Sequence, residues 1–261
     1  MIVRLFVCLL LVNLLSACAG HGGEEGPVDL TVFAAASLSD AFTELGAAFA
    51  AQNPQVNVVF NFAGSSQLAA QISEGAVVDV FASANQAQME TAVNSGRIDP
   101  GSNLSFVSNR LTLITPADNP AGITALEDLR QPGIQMILAV PGVPVRAYTD
   151  EIVAGLGPDF AAAFYGNLVS EEANVRQVAA KIALGEADAG IVYISDVTSD
   201  LAGRVQQIEI PAAQNVSATY PIAPLNDAPH PELARQFIEF TLSPDGQAIL
   251  SRWGFGPPLD D

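Results

Sequence analysis

Cysteine is nearly missing from this chain. Its two copies, Cys8 and Cys18, both lie in the N-terminal stretch. The part that follows holds no disulfide framework, no thiolate nucleophile and no thiolate metal site. Lysine occurs once, as Lys181, and ten Lys and Arg stand against 28 Asp and Glu, for a net charge of −18. Such a chain repels nucleic acid and anionic lipid. The two histidines are His21, in a glycine-rich segment, and His230, in a proline-flanked turn. Neither has partners at metal-ligand spacing. There is no P-loop, no Gly-x-Ser-x-Gly elbow and no Ser–His pair near a motif, so the parts of a hydrolase or transferase are absent. After Pro27 no apolar run is long enough to cross a bilayer.

What is present begins with a leader. Arg4 precedes a run from Leu5 to Leu15 that is apolar except for Asn13, and Ser16 and Ala17 lead into Cys18. The charge layout and length are those of a secretory signal peptide. The Leu15-Ser16-Ala17-Cys18 ending resembles a bacterial lipobox, which implies that residues 1–17 are removed and Cys18 becomes a lipid anchor. Residues 18–27 then form a flexible tether rich in glycine. The expected location is outside the cytoplasm, tied to the membrane.

From Val28 onward the pattern alternates strand and helix. Leu38–Ala51 carries Leu38, Phe42, Leu45 and Phe49 at helical spacing, and Val56–Phe62 alternates as a strand. Further helices are predicted over Ser66–Glu74, Gln86–Ser95, Arg146–Leu156, Val175–Leu184 and Pro231–Thr241. Strands are predicted over Val77–Ala82, Leu111–Thr115, Gln135–Val140, Ala189–Tyr193, Val205–Ile210 and Tyr220–Pro224. Such alternation predicts an α/β fold. The irregular, proline-containing segments Ala117–Gly122 and Pro211–Ser217 suggest where the chain crosses to a second lobe and returns. The division expected is lobe I from 28–108 with 217–261, and lobe II from 109–216. A ligand would then sit in the cleft between them.

Chemistry concentrates where strands run into helices. Ala36-Ser37-Leu38-Ser39, Ala63-Gly64-Ser65-Ser66, Val143-Pro144-Val145-Arg146 and Asn174-Val175-Arg176 all place small, neutral or hydroxyl residues at a helix start. Helix N-termini expose unpaired N–H groups and partial positive charge, so several of them converging would hold a compact oxyanion. Each serine taken alone is also a plausible N-cap. Asp79 and Asp196 read as caps or turn residues, and Arg146 and Arg176 as salt-bridged surface residues. A chain this acidic must hold an anion by short, directed hydrogen bonds rather than by long-range attraction.

These same segments resemble a family. Thr31-Val-Phe-Ala-Ala-Ala-Ser-Leu38, Phe62-Ala-Gly-Ser-Ser-Gln-Leu68, Asp79-Val-Phe-Ala-Ser-Ala-Asn85 and Gly190-Ile-Val-Tyr-Ile-Ser-Asp196 are similar to the periplasmic molybdate-binding proteins of ABC transporters. Ser243-Pro-Asp-Gly-Gln-Ala248 and Trp253-Gly-Phe255 extend the likeness over residues 28–256. The resemblance implies a two-lobed type II periplasmic-binding fold that is not an enzyme and carries no cofactor. It implies a monomer that holds molybdate or tungstate as an oxyanion, with no direct protein–metal ligand, and passes it to a membrane permease. Carried over by motif, the ligand residues are the Ser37 and Ser65 hydroxyls and amides, the Val145 and Val175 backbone N–H groups, and the Tyr193 hydroxyl. The third turn departs from the family pattern, with Arg146 where a glycine usually follows. Binding of sulfate, thiosulfate or phosphate, and a sensor role, remain as alternatives.

Overall fold

The computed structural model describes residues 26–259; the signal peptide, Cys18 and most of the tether lie outside them. The chain opens with two βα units. β1 (Val28–Ala35) leads through a short turn into α1 (Ser39–Gln52), and β2 (Val56–Ala63) leads into α2 (Ser65–Ser73). β3 (Val80–Ala82) and α3 (Gln86–Asn94) follow, and then β4 runs from Leu104 to Pro116. β1 lies parallel to both β2 and β3, an arrangement that needs helical crossovers.

The second half repeats the alternation: β5 (Met136–Ala139), α4 (Pro144–Gly155), α5 (Pro158–Gly166), β6 (Leu168–Glu172), α6 (Val175–Ala183) and β7 (Ala189–Tyr193). β8 (Val205–Glu209) and β9 (Ser217–Pro224) come next, and α7 (Pro231–Leu242) and α8 (Pro244–Arg252) close the chain. Ser243 caps α8 by accepting the Gly246 N–H, with Pro244 at the first helical position. Among the described residues no helix is long and apolar enough to cross a membrane.

The strands join in the order β2-β1-β3-β9-β4-β7-β5-β6, with β8 also on β4. β4 is the shared member. Its first part, Leu104–Arg110, pairs with β9, and from Leu111 onward it pairs with β7 and β8. The passage between the two halves thus falls inside a continuous strand, ahead of the Ala117–Gly122 segment suggested by the sequence. At the change of partner the side chain of Asn215 takes the place of a strand. Its Oδ1 accepts the Leu111 N–H at 3.2 Å and its Nδ2 donates to the Leu111 carbonyl at 2.8 Å.

Apolar helix faces cover the sheet. Phe42 and Phe49 of α1 meet Phe237 of α7 edge-on, and Phe60 and Phe106 complete the cluster. Phe42, Phe106 and Phe237 are fully buried, each removing about 2–3 kcal/mol worth of apolar surface from water.

Candidate functional site: a cleft of neutral donors

Parallel strands bring their carboxyl ends to one edge, and the helices that follow start there. Ser37 lies in the turn after β1, Ser65 opens α2, Val145 is the second residue of α4, Val175 opens α6 and Tyr193 ends β7. The first-turn N–H groups of these helices have no partner within the helix. All five residues line one cavity of about 10 Å³, together with Ala35, Ala36, Gly64, Ala84, Val143, Pro144 and Asn174. That is room for about one water molecule, so any larger ligand enters only as the two sides of the cleft move apart.

Tyr193 stands out. It is 1% exposed, yet its hydroxyl makes no well-formed hydrogen bond among the described residues, the neighbouring Tyr220 hydroxyl offering at most a loose one. A buried hydroxyl left unpaired costs about 1–3 kcal/mol, so its place at the cavity marks it as a donor reserved for something else. Burial also pushes its pKa well above the ordinary value, which keeps it a neutral donor.

The serines are not helix caps. Gly64, not Ser65, is the N-cap of α2, and Leu38 holds that position for α1. Ser65 Oγ instead accepts the Ala84 N–H at 3.0 Å, which leaves its own proton to be given away. Ser37 Oγ lies 3.0 Å from Tyr220 Oη, a partner the sequence reading did not contain. Tyr220 is fully buried, and burial raises its pKa well above the usual value too.

Neither arginine at the junctions faces the cavity. Arg146 is buried, not a surface residue, and is paired with Asp150 at 2.7 Å and with Glu171, while its Nη1 also donates to the Ala139 carbonyl. Two carboxylates neutralise it, and its guanidinium sits over the Tyr165 ring. Arg176 Nη1 donates to Asp40 Oδ2 at 2.7 Å, and its Nε makes a close ionic contact with Asp196 Oδ1 at 2.8 Å. Asp196 is fully buried and accepts the Tyr193 N–H. Burial is the larger influence on it and pushes its pKa up to about 6, against the pull of Arg176. Asp79 accepts the Thr31 and His230 N–H groups and serves as a structural tie.

The two sides of the cleft touch. Gln88 Nε2 donates to the Gly142 carbonyl at 3.0 Å. A Cβ on Gly64 would lie 2.7 Å from the Ala173 carbonyl oxygen, so only glycine permits this approach. No charged residue lines the cavity, and the polar groups that reach it are neutral.

A small cleft between two halves of an α/β sheet is the place where a binding protein holds its solute, and the chain belongs to the family described as bacterial extracellular solute-binding protein, whose profile matches residues 30–256. Within it, the chain is 40% identical over 259 residues to the molybdate-binding protein ModA of Mycobacterium tuberculosis, covering 97% of this chain and 96% of that one. The fold is that of the periplasmic molybdate-binding protein of Azotobacter vinelandii (TM-score 0.77, 23% identity, 88% of this chain and 100% of that one). It is equally that of the sulfate-binding protein SubI of M. tuberculosis (TM-score 0.77, 22% identity, 88% and 87%). The two-lobed α/β architecture expected from the sequence is therefore correct, and the family is one of extracellular binding proteins, not enzymes.

Proposed function

We propose that this protein captures molybdate, and tungstate with it, outside the cytoplasm and delivers the oxyanion to a membrane ABC permease. The observation that carries the reading is the unpartnered Tyr193 hydroxyl at a cavity of about 10 Å³ shared with Ser37, Ser65, Val145 and Val175. Those five groups can all donate, two as backbone N–H groups and three as hydroxyls. A fully deprotonated tetrahedral dianion needs nothing else, whereas hydrogenphosphate would need an acceptor for its proton, and no carboxylate lines the cavity. The 40% identity to a protein named for molybdate supports the choice of anion. In this reading residues 28–108 with 217–261 form one lobe and 109–216 the other, and the change of β4's partners between Arg110 and Leu111 supports that division. The chain acts as a monomer anchored through a lipid on Cys18, which fatty-acid labelling would test.

Sulfate is the second reading, favoured by a 24% identical relative, the sulfate-binding protein of Synechococcus elongatus. Titration calorimetry with molybdate, tungstate, sulfate and phosphate separates the two. Molybdate and tungstate should bind tightly, sulfate much more weakly and phosphate least. Equal affinity for sulfate would overturn the selectivity, and no binding of any of the four would overturn the function.

A further inference from the structure

Behind Ser37 runs a line of buried polar groups that the function above does not use. Tyr220 Oη sits 3.0 Å from Ser37 Oγ, and Asn109 Nδ2 approaches Tyr220 Oη at 3.5 Å. Asn109 Nδ2 also donates to Ser195 Oγ at 2.8 Å. All four residues are less than one-tenth exposed. The orientation of the amide is fixed from outside this group, because Asn109 Oδ1 accepts the Arg110 N–H at 2.9 Å. The nitrogen end therefore faces Tyr220, and Nδ2 can only donate.

The direction of the remaining protons follows. If Tyr220 Oη accepts from Asn109, its own O–H must find an acceptor, and Ser37 Oγ at 3.0 Å is better placed than the Tyr193 hydroxyl, which makes no well-formed bond. Ser37 Oγ then accepts, and its proton is left pointing at the cavity. A serine hydroxyl is ordinarily both donor and acceptor. Here the chain behind it would remove the second role.

We propose that Asn109 and Tyr220 are positioning residues for oxyanion binding: the chain Asn109→Tyr220→Ser37 orients the Ser37 hydroxyl as a donor only. The inference rests on the oxyanion reading above. Its consequence is specificity. A serine locked as a donor favours unprotonated oxyanions and removes one acceptor that the proton of hydrogenphosphate could use. Chains of hydrogen bonds also polarise one another, so each link strengthens the next toward a bound anion.

A double-mutant cycle on molybdate affinity tests this. The purified protein and its Tyr220→Phe, Asn109→Ala and doubly substituted variants are titrated with molybdate by calorimetry. In a chain Asn109 acts through Tyr220, so each single change should weaken binding by roughly tenfold and the pair by little more than either alone. Two independent structural roles would instead multiply to roughly a hundredfold. Melting temperatures recorded alongside separate loss of fold from loss of orientation. Multiplicative effects, or a Tyr220→Phe protein that binds molybdate unchanged, overturn the chain. Failure of the parent protein to bind molybdate at all would instead overturn the oxyanion reading beneath it.

Discussion

Arg176 and Asp40 meet across the cleft, Nη1 to Oδ2 at 2.7 Å, with Arg176 on α6 and Asp40 on α1. These helices belong to opposite halves of the sheet, so the contact exists only when the halves are together. Both side chains keep partial access to water, with 24% and 34% exposed. The pair is thus a latch of modest strength and one sensitive to salt.

Asp40→Asn removes the cross-cleft charge while leaving Arg176 beside Asp196. Molybdate affinity should fall about two- to fivefold at low ionic strength, as expected of a partly exposed pair worth about 0.3–1 kcal/mol. In concentrated salt the variant and parent should converge. Calorimetry at two salt concentrations checks both statements. Identical affinities at low salt would show that the latch contributes nothing to closure.

Removing a donor hydroxyl should weaken molybdate binding by roughly ten- to a hundredfold for Ser37→Ala, Ser65→Ala and Tyr193→Phe. Their effects on ligand-free stability should differ. Tyr193→Phe deletes a buried hydroxyl that lacks a partner, so its melting temperature should hold or rise. Ser65→Ala strands the Ala84 N–H and should cost about 1 kcal/mol. Arg146→Ala is the contrast: it uncouples Asp150 and Glu171 and should destabilise the fold while leaving affinity within about twofold. Lost binding in Arg146→Ala, with the hydroxyl variants silent, would point to a cationic clamp.

Acid should stabilise the protein over a defined window because of Asp196. Its folded pKa of about 6 lies above the usual carboxylate value of 3.8, so between those limits the folded state holds a proton that the unfolded chain has released. Stability from this group is complete below the lower value and is lost as pH rises through the upper one. Going from pH 7 to pH 5 should therefore add about 1 kcal/mol. Glu44 and Asp128, held below the usual range chiefly by hydrogen bonds from Arg252 and Thr124, act in the opposite sense and are lost in stronger acid. Denaturant unfolding at pH 5, 6 and 7 reads the slope. Asp196→Asn should flatten it, and an equally steep slope in that variant would assign it elsewhere.

Much of the scaffold was legible because its elements carry their own signals. Apolar spacing marked α1, and the small residues after β1 and β2 marked the turns that hold Ser37 and Ser65. The element α5 escaped notice because its apolar residues run together from Phe160 to Tyr165 and hide the one face that Phe160 and Phe164 bury. β6 escaped because it ends in Glu171 and Glu172, which read as a charged loop until Arg146 and Lys181 pair with them in the fold. β4 was read as too short for a related reason. Ser108, Asn109 and Arg110 look like a loop, yet Ser108 and Asn109 are buried against partners supplied by the far end of the chain, Pro257 and Tyr220. Tyr220 itself gave no local sign of a role, since its meaning lies in a contact 183 residues away.

The amide of Asn215 gives the joint between the halves a mechanical character of its own. Where β4 exchanges neighbours, Leu111 would otherwise present a bare N–H and C=O to the gap between β9 and β8. A strand filling that gap would tie the two sheets into one stiff plate, and leaving it open would strand two backbone groups. A side chain does neither. The same amide accepts the Val216 N–H at 2.9 Å and donates to the Ile210 carbonyl at 3.3 Å, so one side chain ties β4 to the segment that joins β8 to β9.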